Sequence, residues 1–478
     1  MSRPQKFLLI LILLLAFTLR LYRINNPIAD WHAFRQADTA SVTREYVKHG
    51  IDLLHPKYQD LSNIQSGKDN LLGYRMVEFS LVNALTAWFL IKLPFLDLVI
   101  FSRLISVFFS LGTILALFYL VKNLSGTKAA FLAALTFAVL PYSVYYSRAI
   151  LPEPAMLFFS TASLLFFYKY LYQSSHYPLA TCYLLLSSVF LALALLLKPF
   201  VVFLLPIYLI LALQKYKLKI LSRYELILWA LLSFLPFYLW REWIKNFPSG
   251  IPASDWLFNS MDGLKIRLTP AWWRWIFYER LTKLFLGYFG VIFLLANLLI
   301  KKIRPDLLVY AAWWAGMISY FIIMAAGNVR HDYYQNLALP IICISVAMGV
   351  INLYKLIKNK NLAKILIILI YLLMLWFSWQ QVKGYFNINH WEYIEAGQAA
   401  DKILPPEAKV IAPAMGDTIF LFQTNRTGWP IGFEIEDKIA KGAEYYIATS
   451  DDDEVRMLKK KYEIVTKHKN YLIIKLQP

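Results

Sequence analysis

The chain has 478 residues, 59% hydrophobic and 17% charged, with a formal net charge of +19. Soluble globular chains are about 45–50% apolar and about 25% charged, so a purely water-soluble protein is excluded. Such a positive balance in a chain this apolar points to basic loops on the cytoplasmic side of a membrane rather than to nucleic acid, and we expect no nucleic-acid partner.

A helix needs about 17–25 apolar residues to cross a bilayer. In chain order, candidate spans fall at 7–23, 98–121, 128–146, 154–172, 179–197, 199–214, 225–241, 281–300, 307–325, 335–354 and 364–382, about eleven in all. The first lacks a small-x-small cleavage site and reads as a retained span, with Arg20, Tyr22 and Arg23 as an interfacial anchor. The block 77–93 contains Glu78, Asn83 and Lys92. If it stays out of the membrane and the N-terminus is cytoplasmic, the basic loops all fall inside: Lys122 and Lys128; Lys215, Lys217, Lys219 and Arg223; Lys301, Lys302 and Arg304; Lys355, Lys358, Lys360 and Lys364. If it crosses, they all flip, so 77–93 reads as a juxtamembrane helix. The two cysteines, Cys182 and Cys343, lie in apolar blocks and imply no disulfide framework.

The outer face then collects the loop 24–97, the turn Tyr145–Pro154, the aromatic loop Glu242–Arg280, the turn Gly327–Tyr334 and a polar tail. The tail predicts helices at 391–403 and near 452–461, and strands at 408–412, 444–448, 463–466 and 470–475. The expected architecture is an α-helical polytopic membrane domain, 1–383, followed by a small α/β domain, 384–478.

The middles of the spans hold almost no ionisable residue. Ion-coupled transporters and pumps carry such groups at mid-membrane depth, which disfavours a transporter or flippase of lipid-linked saccharide. The outer loops hold them instead, in Asp30-Trp31-His32-Ala33-Phe34-Arg35-Gln36-Ala37-Asp38, in Arg44-Glu45, and in Ser147-Arg148-Ala149-Ile150-Leu151-Pro152-Glu153. A carboxylate beside an acceptor hydroxyl can serve as general base. A neighbouring arginine or lysine can hold a phosphate leaving group. Each residue also has an ordinary reading. Asp38 suits a helix start and Asp30 an N-cap. Glu153 suits a first helical turn. Arg148, Arg330 and Lys198 could reach toward headgroups, and Tyr333, Trp272, Trp273 and Trp275 could form an aromatic belt. A non-catalytic scaffold presenting the tail would require only these.

The order of parts resembles the C-type (GT-C) glycosyltransferases of the protein O-mannosyltransferase and aminoarabinose transferase group. The resemblance runs over roughly residues 1–350. It rests on Arg35-Gln36-Ala37-Asp38-Thr39-Ala40 with Arg44, on Ser147–Glu153, on Leu197-Lys198-Pro199, and on Arg330-His331-Asp332-Tyr333-Tyr334 before an apolar run. It implies a polyprenyl-phosphate sugar donor, a hydroxyl acceptor on lipid, glycan or protein, and a place in a bacterial inner membrane. Direct displacement by a hydroxyl would invert the anomeric centre. Two departures stand out. The family's first-loop Asp-Glu falls on Arg35-Gln36, so the base is Asp38 or Asp30. The Lys-Pro-Pro-Leu that opens the family's juxtamembrane helix appears as Glu78-Phe79-Ser80-Leu81. By the same resemblance Glu153 is a second acid. Arg35, Arg148, Lys198 and Arg330 are candidate donor-phosphate partners; on their own chemistry His331 could ligate a metal with Glu78 or another acid, or hydrogen-bond Asp332, and Glu78, His331 and Tyr333 could contact substrate. The residues demand no definite cofactor and leave a divalent metal open.

Overall fold

The computed structural model describes residues 1–173, 177–259, 263–299 and 305–476. Helices dominate, and seven of the described ones are long and apolar enough to cross a membrane, Leu98–Ser125, Glu153–Tyr172 and Pro305–Ile323 among them. The protein is an integral, multi-pass membrane protein. Its residues fall into two compact units.

The membrane unit comprises Met1–Tyr22, Leu104–Arg241 and Ser254–Gly384. Two expected spans are interrupted. The 128–146 block ends its first helix at Val139, and a second, Pro141–Tyr146, begins after Leu140. Proline pushes the residue before it out of the helical region, and Leu140 is extended, with ψ 122°. The 281–300 block lies partly in a wide π-helical stretch, Arg274–Phe285, and resumes as Val291–Leu298. Between them Gly287 has φ +47°, and a Cβ there would run into the Met374 carbonyl oxygen. The chain turns where only glycine allows so close an approach. The end of that block and the cluster Lys301, Lys302 and Arg304 lie outside the described residues.

Arg20 corrects the expected interfacial anchor. It is fully buried. Its guanidinium donates to Ser110 Oγ at 3.0 Å, Ser143 Oγ at 3.1 Å, and the carbonyls of Ala16, Ala138 and Phe137 at 3.0, 2.9 and 3.2 Å. Hydrophobic flanks hid the fact that five acceptors from three segments meet there. Replacing Arg20 with methionine leaves those acceptors short of a donor, at roughly 1–3 kcal/mol for each one that stays unsatisfied. We expect Arg20→Met to lower the unfolding temperature clearly in detergent while specific activity per folded molecule holds. An unchanged melt would contradict this packing.

The second unit comprises Arg23–Arg103, Glu242–Ala253 and Tyr385–Pro478. It contains the five-stranded sheet, made of β1 (Val410–Ile411), β2 (Gly428–Trp429), β3 (Tyr445–Ala448), β4 (Glu463–Lys467) and β5 (Leu472–Lys475) in the order β2-β1-β3-β5-β4. β1 runs parallel to β2 and β3, and β5 antiparallel to β3 and β4. The helices Trp391–Ile403 and Asp453–Lys461 fall where the sequence predicts them. The two-residue β2 has no sequence signal. The first loop joins this sheet: Asp60 bridges Gly428 in parallel, and Leu61 packs in the core with Ile411, Trp429, Tyr446 and Ile474. The helix Leu81–Lys92 has 12 residues. At 1.5 Å per residue it rises about 18 Å, short of the roughly 30 Å hydrocarbon layer.

Candidate active site

Within the second unit, the helix Ala33–His49 is polar yet largely buried: Arg35, Gln36, Asp38, Thr39, Ser41, Thr43 and Glu45 are all shielded from solvent. Burying such groups is costly unless they find partners. Asp38, 2% exposed, finds three. Arg75 pairs with its Oδ2 at 2.9 Å, Gln65 Nε2 donates to Oδ2 at 3.2 Å, and Thr418 Oγ1 donates to Oδ1 at 2.7 Å. Asp38 sits in the second turn of its helix rather than the first, so the helix-start reading does not apply. Arg35 forms an ion pair with Glu78. The charges of Arg35 and Glu78 therefore offset each other.

Arg35, Asp38, Arg75 and Glu78 line one small cleft with Thr39, Val42, Ser80 and Asn83. Two guanidiniums and two carboxylates face the same space. Asp30 is not among the lining residues. Gln36 Nε2 donates to Asp30 Oδ1 at 2.7 Å, and Arg103 stands 3.5 Å from Oδ2 while also donating to the Ile24 carbonyl at 2.9 Å. This is an internal tie, not an N-cap.

Two more carboxyls, buried Asp60 and half-buried Asp417, feel the charge of Asp38. Burial pushes Asp60 up to about 6, with the Asp38 charge adding to the effect; the Ser62 N–H, 2.8 Å away, and Arg75 oppose it. Burial likewise pushes Asp417 up to about 6, again with Asp38 adding to it. A carboxyl whose folded pKa lies above its unfolded value binds more protons when folded. Each therefore lowers stability as pH rises from about 4 to about 6, and the loss persists above that. Asp60→Asn should raise the melting temperature at pH 7.5 and flatten its fall between about pH 4 and 6. Asp417 leaves a residual slope of the same sign. An unchanged slope would contradict the assignment.

In the membrane unit, the turn before Glu153 and the turn Arg330–Tyr334 meet. Tyr146 donates its hydroxyl to the Asp332 carboxylate, Tyr142 donates to the Asp332 carbonyl at 2.7 Å, and Arg280 stands 3.6 Å from Asp332 Oδ2. Glu153 opens the helix Glu153–Tyr172, as its ordinary reading expects, but is 3% exposed. Lys198 Nζ is 3.1 Å from Glu153 Oε1, yet neither Glu153 oxygen accepts a hydrogen bond among the described residues. The ammonium also stands over the rings of Tyr333 and Tyr334, at 6.0 and 5.7 Å. Lys198 is thus committed inward and does not reach for headgroups. Arg148 is buried against the Tyr145 ring at 5.2 Å, so it too is no snorkelling arginine. Arg330 is exposed over Trp256, and His331 stacks on Tyr333. Trp272 is buried, with Nε1 donating to the Ala325 carbonyl at 3.2 Å, whereas Trp273 and Trp275 are exposed. Among the described residues no three His, Cys, Asp or Glu side chains are placed to hold a metal ion.

Sequence reasoning passed over Arg75, Asp60 and Thr418. Arg75 lies three residues before Glu78, just ahead of the quoted Glu78–Leu81 stretch, and could have been suspected. Thr418, 380 residues from Asp38, gave no signal.

Residues 81–240 match the family described as dolichyl-phosphate-mannose-protein mannosyltransferase. ArnT from Cupriavidus metallidurans, solved bound to undecaprenyl phosphate, superposes with a TM-score of 0.67 at 12% identity, over 99% of this chain and 98% of that one. The chain has a GT-C fold. The Archaeoglobus fulgidus oligosaccharyltransferase, solved with Zn and sulfate, gives 0.59 at 10% identity, over 92% of this chain and 67% of its own. The AglB structure from the same organism, with an inhibitory peptide and a dolichol-phosphate, gives 0.55 at 10% identity, over 93% and 70%. No curated protein matches by sequence.

Proposed function

We propose that the protein is a membrane glycosyltransferase that moves a sugar from a polyprenyl-phosphate donor to a hydroxyl acceptor at the outer face of the membrane. The observation that carries this reading is the cleft in which Asp38 faces Arg35 and Arg75, in a chain with the fold of enzymes solved with polyprenyl phosphates. The acceptor oxygen attacks the anomeric carbon and Asp38 takes its proton. The bond from that carbon to the phosphate oxygen breaks, and its electron pair leaves with polyprenyl phosphate. The guanidiniums offset the growing negative charge. A single displacement inverts the anomeric centre. Taken by themselves, the membrane-unit residues Lys198, Arg148 and Arg330 have the charge to hold a phosphate, and Glu153, His331 and Tyr333 could contact a sugar or its acceptor. The basic inner loops support the sidedness, with the N-terminus in the cytoplasm.

The test is turnover in proteoliposomes carrying polyprenyl-phosphate mannose, glucose or aminoarabinose, supplied with an envelope extract. We expect one donor to be consumed. Failure to consume any of them would overturn the reading.

A further inference from the structure

We propose that Thr418, from the C-terminal segment, is a positioning residue that fixes the carboxylate of Asp38 for catalysis. The inference rests on the reading of Asp38 as base. The two oxygens of Asp38 are not equivalent. Oδ2 is held by both Arg75 and Gln65, whereas among the described residues Oδ1 receives only the Thr418 hydroxyl, at 2.7 Å. Oδ1 therefore keeps a lone pair for an incoming proton. Rotation of a carboxylate about its last bond is soft and turns both oxygens together, so its aim is set jointly by the donors on Oδ2 and by Thr418, the donor on the oxygen left open. The Thr418 oxygen also lies 3.2 Å from the Phe34 carbonyl. A hydroxyl has one proton to give, and the charged acceptor at the shorter distance takes it.

Thr418 is itself held on both sides. It precedes the helix Ile419–Gln423. Before it, Asp417 N–H donates to the Ala414 carbonyl at 2.9 Å, and the N–H groups of Ala414 and Gly416 reach the Pro430 carbonyl at 2.9 and 3.0 Å. Gly416 takes φ +86° where a Cβ would press on Ile64. After it, Arg44 donates to the Phe422 carbonyl at 2.6 Å and stacks on the Phe422 ring at 3.7 Å. The tail segment is thus clamped to the helix that carries Asp38. A buried threonine that merely satisfied its hydroxyl would affect folding alone. One that aims a base affects the rate and its pH dependence.

The full-length protein in proteoliposomes, with whichever of the three polyprenyl-phosphate sugars it consumes, separates these roles. Thr418→Val should lower kcat by about 10–100-fold with donor KM within about twofold. It should also move the rising limb of the pH–rate profile to higher pH, because the anion loses a donor. Thr418→Ser should restore both. Thr418→Ala is the second variant should valine impair folding, and it should repeat the valine kinetics. Wild-type kcat and pH profile in the valine or alanine variant, beside an inactive Asp38→Asn, would overturn the role of Thr418 and leave Asp38 as base. Full activity in Asp38→Asn, or no turnover of any donor by the parent, would overturn both.

Discussion

Asp38→Asn is expected to lower kcat by about 10²–10⁴-fold, the span that a positioned general base contributes. The amide has nearly the carboxylate's shape, so the cleft keeps its outline, and Arg35 remains paired with Glu78. Donor KM should therefore change only a few-fold. The substitution does remove the negative partner of Arg75 and leaves that guanidinium with Gln65 and the ring of Tyr58, 5.1 Å away. Some stability is lost, so rates must be normalised to folded protein. Asp30→Asn is the matched control. Asp30 is equally buried but faces Gln36 and Arg103 rather than the cleft, and its loss should be felt in the melt more than in kcat. The reverse pattern, an inactive Asp30→Asn beside an active Asp38→Asn, would transfer the role to Asp30.

The second large effect is expected at the buried pair Glu153–Lys198. Removing one member of a buried ion pair leaves the other charge without compensation, at about 3–5 kcal/mol. Lys198→Met should produce such a loss, because among the described residues no hydrogen bond to either Glu153 oxygen cushions the change. Replacing both partners with neutral groups removes the uncompensated charge. The double variant Glu153→Gln, Lys198→Met should therefore regain most of the lost stability while staying inactive in turnover. Denaturant or thermal unfolding of the two single variants and the double one measures the coupling. A double variant as unstable as the sum of its parts would show that the 3.1 Å contact contributes nothing.

The architecture was legible because its signals are local. Apolar length marks the membrane helices, and alternating short runs mark the tail, where β3, β4 and β5 fall close to their predicted ranges. The interruptions were less legible. Pro141 could have been read as a helix start, but the break at Gly287 depends on how closely Met374 approaches, which no local pattern encodes. The candidate site divides along the same line. Asp38, Arg35 and Glu78 were singled out from motif position, Glu153 from its loop, and Lys198 from the Leu197-Lys198-Pro199 stretch between two spans. Which charges pair was not readable. Arg35 with Glu78, Arg75 with Asp38 and Lys198 with Glu153 each join residues separated by tens of positions. Arg20 shows the opposite failure: composition suggested an anchor, and only the packed carbonyls and hydroxyls reveal its buried role.

The most direct test of sugar transfer from a lipid phosphate is a mass balance in sealed proteoliposomes. Donor, free polyprenyl phosphate and glycosylated acceptor would be quantified together by mass spectrometry, and the anomeric configuration of the product read by NMR. The account predicts one polyprenyl phosphate released for each sugar transferred, with the anomeric centre inverted. Intact donor moved from one leaflet to the other, with neither lipid phosphate nor product formed, would contradict it.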